Sequence, residues 1–191
     1  MSHMLPLTAS LSTAVLGILM AADPVPAPDA VQPFPLPSFV LPNLNGKNVA
    51  LAKQCGPSAQ QGQKYVLVLS FFATWCKPCM KELPALRRFA ETYRDRGVRV
   101  FMIGTQNTSD DIRRVLGNET AFEVLSDELG LTSSRMGVIN PKTGMGELPA
   151  TFVVDGDCRV RRAWRGASEK VDERLAKAVA DLVGREAGPA K

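Results

Sequence analysis

The chain has 191 residues, 45% of them hydrophobic and 22% charged, which is enough for one domain with a real core plus a tail. Its net charge of +4 is mild, and the basic residues form no block interleaved with aromatics, so nothing points to a nucleic-acid partner. The four cysteines divide into one C-x-x-C pair, Cys76 and Cys79, and two single positions, Cys55 and Cys158.

Ser2-His3-Met4 reads as a cloning scar that carries the chain's only histidine. Leu5 to Ala22 is an apolar stretch ending in Met20-Ala21-Ala22. Residues 1–22 are therefore expected to be a secretory signal or membrane anchor, with an extra amphipathic helix as the alternative. Pro24, Pro26, Pro28, Pro33, Pro35 and Pro37 follow. Alternating prolines donate no backbone hydrogen bonds and favour an extended path, so 23–37 is read as a stiff tether, with a disordered N-terminal tail as the alternative.

A domain over 38–184 is expected next, with 185–191 as a tail. Phe39 to Leu41 and Val49 to Leu51 flank Asn45-Gly46, a strong hairpin turn. Residues 53–63 form a polar loop that contains Cys55. Tyr65 to Phe72 is a continuous apolar run of strand length, the mark of a strand buried on both faces. It feeds into Cys76-Lys77-Pro78-Cys79, and a helix follows with Met80, Leu83, Leu86, Phe89 and Tyr93 on one face and Pro84 inside. A second buried strand covers Val98 to Ile103. Ser109 or Asp110 is expected to cap a short helix, Phe122 to Leu125 to be extended, and Asp127 to open a helix ending near Gly137. A Gly/Pro loop spans 139–147. Thr151 to Val154 and Val160 to Trp164 pair across a turn at Gly156-Asp157, and Ser168 opens a last helix that stops at Gly184. Strands alternating with helices and a closing hairpin give an α/β sheet with helices on both faces.

The C-x-x-C carries the chemistry. Disulfide exchange needs an attacking thiolate and a second thiol close enough to resolve the mixed disulfide. Two cysteines spaced by two residues at a helix N-terminus meet both needs. The helix dipole and free N–H groups stabilise the thiolate of Cys76, and Cys79 lies one turn inward. Lys77 adds a favourable charge. A zinc site would need four ligands, and no second C-x-x-C is present. An inert core pair explains neither Trp75 nor Pro78.

The run Phe72-Ala73-Thr74-Trp75-Cys76-Lys77-Pro78-Cys79, the continuation Lys81-Glu82-Leu83-Pro84-Ala85-Leu86, the hairpin at Asn45-Gly46-Lys47 and Leu148-Pro149-Ala150-Thr151-Phe152 resemble the TlpA-like/ResA-like branch of the thioredoxin superfamily. The resemblance covers roughly residues 37–184. It implies a thioredoxin-like fold with an N-terminal β-hairpin and a central mixed sheet. It also implies that Cys76 and Cys79 are the redox pair and that Pro149 is a cis-proline facing them. Substrate contacts are then expected at Trp75, Lys77, Pro78, Leu148 and Pro149.

Departures from the pattern sharpen the expectations. Cytosolic thioredoxins carry a buried Asp where this chain has Ser70. The resemblance to ResA-like proteins assigns the proton acceptor for Cys79 to Glu82 instead, with a solvated helix residue as the alternative. The loop over 139–147 is longer than relatives usually have. Cys158 stands in a turn where relatives usually have Gly. With Pro149 at the motif, the strands 65–72 and 151–154 run antiparallel, so Cys55 and Cys158 share the far pole and can form a structural disulfide.

The resemblance further implies a bacterial periplasmic enzyme without cofactor or metal that reduces disulfides of exported proteins. Such partners would be of the cytochrome c maturation or copper-centre assembly type, and a membrane electron donor of the thiol-transfer type would supply the electrons. Residue types alone leave direction open, so an oxidase or isomerase stays as the alternative. A copper chaperone of the Sco type would want C-x-x-x-C and a histidine, and a redox-inert interaction module is the remaining class.

Overall fold

The computed structural model describes residues 30–186. The apolar stretch over 1–22 and most of the tail lie outside the described residues. Among these, no helix is long and apolar enough to cross a membrane.

Eight strands and four helices follow in chain order: β1 (Ala30–Pro35), β2 (Val40–Pro42), β3 (Asn48–Ala50), β4 (Val66–Phe72), α1 (Lys77–Tyr93), β5 (Val98–Thr105), α2 (Ser109–Leu116), β6 (Glu123–Asp127), α3 (Leu131–Arg135), β7 (Ala150–Val154), β8 (Arg159–Arg165) and α4 (Val171–Glu186). Six strands form one mixed sheet in the order β1-β8-β7-β4-β5-β6, and β2 and β3 form the separate hairpin.

The uninterrupted apolar run makes β4 the centre of the sheet, parallel to β5 and antiparallel to β7. All seven of its residues are buried, because both faces are covered. Val66, Val68 and Phe72 point into a cluster with Leu83, Leu86 and Phe89 of α1, Ile112 of α2, and Leu175 and Val179 of α4. Leu67, Leu69 and Phe71 point the other way, toward Phe39, Leu41, Leu51, Met136 and Val138. Three helices thus cover one face, and the hairpin with the segment around α3 covers the other.

The tether expected over 23–37 is corrected by the structure in its second half. Residues 30–35 are a strand, paired antiparallel with β8. Proline is excluded from the interior of a sheet but tolerated at its edge, and β1 is the edge. Arg159 donates from Nη2 to the Pro33 carbonyl at 2.6 Å, and Leu36 N–H donates to the Cys158 carbonyl at 2.8 Å. The folded unit therefore begins before Ser38.

Helix boundaries shift in three places. The cap of α2 is Thr108, whose hydroxyl and the Asp111 carboxylate cap each other's backbone in a capping box. Asp127 ends β6 instead of opening a helix. Its buried carboxylate accepts from Thr132 N–H, Ser133 N–H and the Ser133 hydroxyl, so it holds the start of α3 from a distance. The last helix runs past Gly184 to Glu186.

Candidate active site

β4 delivers the chain to Ala73 and Thr74, and the turn is fixed from two sides. Thr74 N–H donates to Asn107 Oδ1 at 2.8 Å, and Cys76 N–H donates to the Ala73 carbonyl at 3.0 Å. Cys76 is then the N-cap of α1, with extended backbone and Pro78 in the first turn. Proline fits there because its missing N–H has no partner in a first turn. The Cys76 Sγ accepts from Cys79 N–H at 3.3 Å, as a capping side chain does. The two cysteines form a disulfide with their Cα atoms 5.3 Å apart.

The pair is asymmetric. Trp75, Cys76, Lys77 and Pro78 form one wall of a groove of about 450 Å³, and Gly146, Glu147 and Leu148 form the other. Cys79 lies behind Cys76 in the core cluster and does not line the groove. Trp75 and Lys77 are exposed, whereas Cys76 is buried except for its face on the groove. The Leu148–Pro149 peptide is cis, and the Pro149 carbonyl accepts from Gly166 N–H at 2.9 Å. The structure thus brings Trp75, Cys76, Lys77, Pro78 and Leu148 together at one pole.

Glu82 is buried one turn beyond Cys79 on α1, only 5% exposed. Its Oε1 accepts from Ser168 N–H at 2.5 Å, where the chain leaves β8 for α4. Burial pushes its carboxyl above the ordinary value near 4.5, against the pull of the Ser168 hydrogen bond and the Arg174 charge. Arg174 itself lies over the Trp164 ring, 4.7 Å from its centre. The solvated-helix alternative for Glu82 does not match this burial. Ser70 is also buried and accepts from the Thr151 hydroxyl at 3.5 Å, so no carboxylate occupies the centre of β4.

Comparison with known proteins matches the family model described as AhpC/TSA over residues 34–163. The chain belongs to the AhpC/TSA family. It is a thiol–disulfide oxidoreductase of thioredoxin-like fold, similar to the thiol-disulfide oxidoreductase ResA of Bacillus thuringiensis subsp. konkukian. The two are 28% identical over 144 residues, 74% of this chain and 75% of that protein. Solved structures agree on the fold. A thiol:disulfide interchange protein of the thioredoxin family from Chlorobium tepidum superposes with a TM-score of 0.62 at 24% identity, covering 81% of this chain and 99% of that one. A secreted Mycobacterium tuberculosis disulfide oxidoreductase homologous to E. coli DsbE gives 0.59 at 22% identity over 75% and 96%.

In this AhpC/TSA-family oxidoreductase a second disulfide joins Cys55 and Cys158, with Cα atoms 5.2 Å apart across 103 residues of chain. It lies at the opposite end of β4 and β7 from Cys76. Gly56 N–H donates to the Gly156 carbonyl at 2.6 Å beside it, and Lys64 pairs with Asp157 at 2.6 Å. Cys158 has φ +58°, in the left-handed region that favours glycine.

Sequence reasoning missed the opposite groove wall at Gly146 and Glu147, the clamp on Thr74 by Asn107, the Ser168 hydrogen bond to Glu82 and the influence of the Arg174 charge on it. Gly146 left one readable signal, as the second of two glycines in the long loop. A Cβ there would sit 2.1 Å from the Val138 carbonyl oxygen, so only glycine fits. The others depend on which elements meet in space.

Proposed function

We propose that this oxidoreductase reduces disulfides of exported partner proteins in the bacterial periplasm, with Cys76 attacking and Cys79 resolving. The observation that carries this reading is the groove, which exposes one sulfur of the pair to a docked chain and keeps the other behind it. The Cys76 thiolate attacks a partner disulfide, and one partner sulfur leaves as a thiol. Cys79 then attacks Cys76 Sγ, the second partner thiol leaves, and the Cys76–Cys79 disulfide holds the two oxidising equivalents. Trp75, Lys77, Pro78 and Leu148 line the approach, with Pro149 behind Leu148. Glu82, with its raised carboxyl pKa, takes the proton that Cys79 must lose before its attack.

A membrane electron donor of the thiol-transfer type would restore the dithiol. The long-range Cys55–Cys158 disulfide supports an oxidising compartment. Likeness to ResA supports the reducing direction and partners of the cytochrome c maturation or copper-centre assembly type. The test is the reduction potential of the Cys76–Cys79 couple. A reductase should lie near or below thioredoxin at about −270 mV, whereas a value near about −120 mV would make the protein an oxidase.

A further inference from the structure

Seven large apolar side chains are exposed among the described residues. Phe34, Val40 and Val115 stand singly on β1, β2 and α2. Trp75, Leu129, Leu131 and Met145 are 70%, 77%, 60% and 71% exposed and sit at the redox pole. Scattered exposed leucines need no explanation, but a concentration beside a reactive groove does.

Three loops build this concentration around one side chain. Gln106 follows β5 with φ +53°. Its side chain packs against Gly130, where a Cβ would come within 3.1 Å of it, and against Gly144, where a Cβ would lie 3.6 Å away. Leu129 and Leu131 flank Gly130, and Met145 follows Gly144. The loop over 139–147 is itself an ordered hairpin. Ile139 and Gly146 form an antiparallel bridge, and Asn140 N–H donates to the Met145 carbonyl at 2.7 Å. From Met145 the chain passes directly into Gly146, Glu147 and Leu148, the groove wall opposite Cys76. The apolar ridge is therefore continuous with the site of exchange.

We propose that Leu129, Leu131 and Met145 form a docking ridge that receives an apolar side chain of the substrate protein, carried near the cysteine that Cys76 attacks. The ridge rests on the reading of protein disulfides as substrates, and it names what selects among them. A polypeptide is favoured over a lipid surface because the ridge runs without a break into Gly146, Glu147 and Leu148, the wall that faces Cys76 across the groove where a partner cysteine must enter. Reaction with such a substrate follows the same balance. The reduced pair loses two electrons to one partner disulfide, which leaves as two thiols.

The full-length reduced protein should be mixed with synthetic peptide disulfides in which a single leucine is walked outward from the cysteine, and with an all-serine control. One or two leucine positions should react about tenfold faster than the control, the effect of burying part of one apolar side chain. The variant Leu129→Ser/Leu131→Ser/Met145→Ser should lose that preference while reducing the small disulfide 5,5′-dithiobis(2-nitrobenzoate) at the wild-type rate. Equal rates on all peptides would overturn the ridge and leave the reductase reading standing. Failure to reduce any peptide would overturn both. A preference that survives in the triple variant would also refute the ridge, as would wild-type binding to phosphatidylglycerol vesicles that the variant lacks, with no leucine preference. Should the triple variant slow on the small disulfide, Met145→Ser alone must still lower the leucine preference, or the proposal fails.

Discussion

Two residues at the redox pole differ in what they can do because of where their atoms sit. Cys76 lines the groove and its Sγ accepts the Cys79 N–H, so its thiolate is stabilised and reachable. Alkylation against pH should reveal one thiolate that titrates below about 8 and disappears in Cys76→Ser. Its survival there, with loss in Cys79→Ser, would reverse the two roles. Glu82 makes a different prediction. Its carboxyl pKa is raised in the fold, chiefly by burial, so the folded state holds a proton that the unfolded chain releases near 4.5. Stability is therefore lost as pH climbs from that value through the folded pKa. Glu82→Gln can still accept the Ser168 N–H but carries no such titration. The melting temperature of the variant should gain on the wild type between about pH 4 and about pH 7. An unchanged difference across that range would mean Glu82 titrates normally. At this scale the Cys76–Cys79 pair was legible because its spacing at the start of a helix is written in the sequence, whereas Glu82 was singled out by the resemblance to ResA-like proteins. The raised pKa was not, since its cause is burial, which depends on how α1 packs against distant parts of the chain.

At the scale of elements, the buried strand β4, the hairpin β2–β3 and the helix α1 were readable from continuous apolar runs, Asn-Gly and helical periodicity. What failed was local. Prolines 33 and 35 forbid an interior strand but not an edge, and no local rule says which strand will be the edge. The Asp127 carboxylate caps α3 across a turn, a reach that sequence spacing does not reveal. The turn at Cys158 shows how two local demands compete. A residue at φ +58° costs roughly 1–2 kcal/mol when it is not glycine, whereas a cross-link closing a loop this long contributes up to about 5 kcal/mol. The cross-link wins. Cys55→Ala/Cys158→Ala should then lose about 2–5 kcal/mol in urea unfolding, with thiol exchange at Cys76 unchanged. Cys55→Ala/Cys158→Gly should lose less, because glycine relieves the backbone at the same position. Equal losses for the two variants would show that the left-handed turn carries no cost.

The whole molecule has two poles and two edges, and each has its own guard. The redox pole lies at the C-terminal ends of β4 and β5, where the parallel pair leaves its loops. The far pole is closed by Cys55–Cys158. The β6 edge is met by the hairpin through the bridge between Asn43 and Leu125, and the β8 edge is covered by β1. That last guard can be removed by a shortened chain beginning at Ser38. Val31 and Leu36 pack on the second core cluster, so starting at Ser38 forfeits two partly buried apolar side chains, the Arg159 bond to Pro33 and the Leu36 N–H bond to Cys158. Each is worth about 1 kcal/mol, and the conformational entropy regained by freeing the strand offsets part of the loss. The net effect should be a decrease of about 1–3 kcal/mol in unfolding free energy. An uncovered edge invites pairing between copies, yet β8 carries Arg159, Arg161, Arg162 and Arg165, and like charges oppose edge-to-edge association. The shortened chain should therefore stay monomeric in sedimentation and keep its rate on a small disulfide, since β1 touches nothing at the groove. Dimerisation would show that β1, and not the arginines, protects this edge. A loss of redox rate would show that the edge strand helps position the groove from across the sheet.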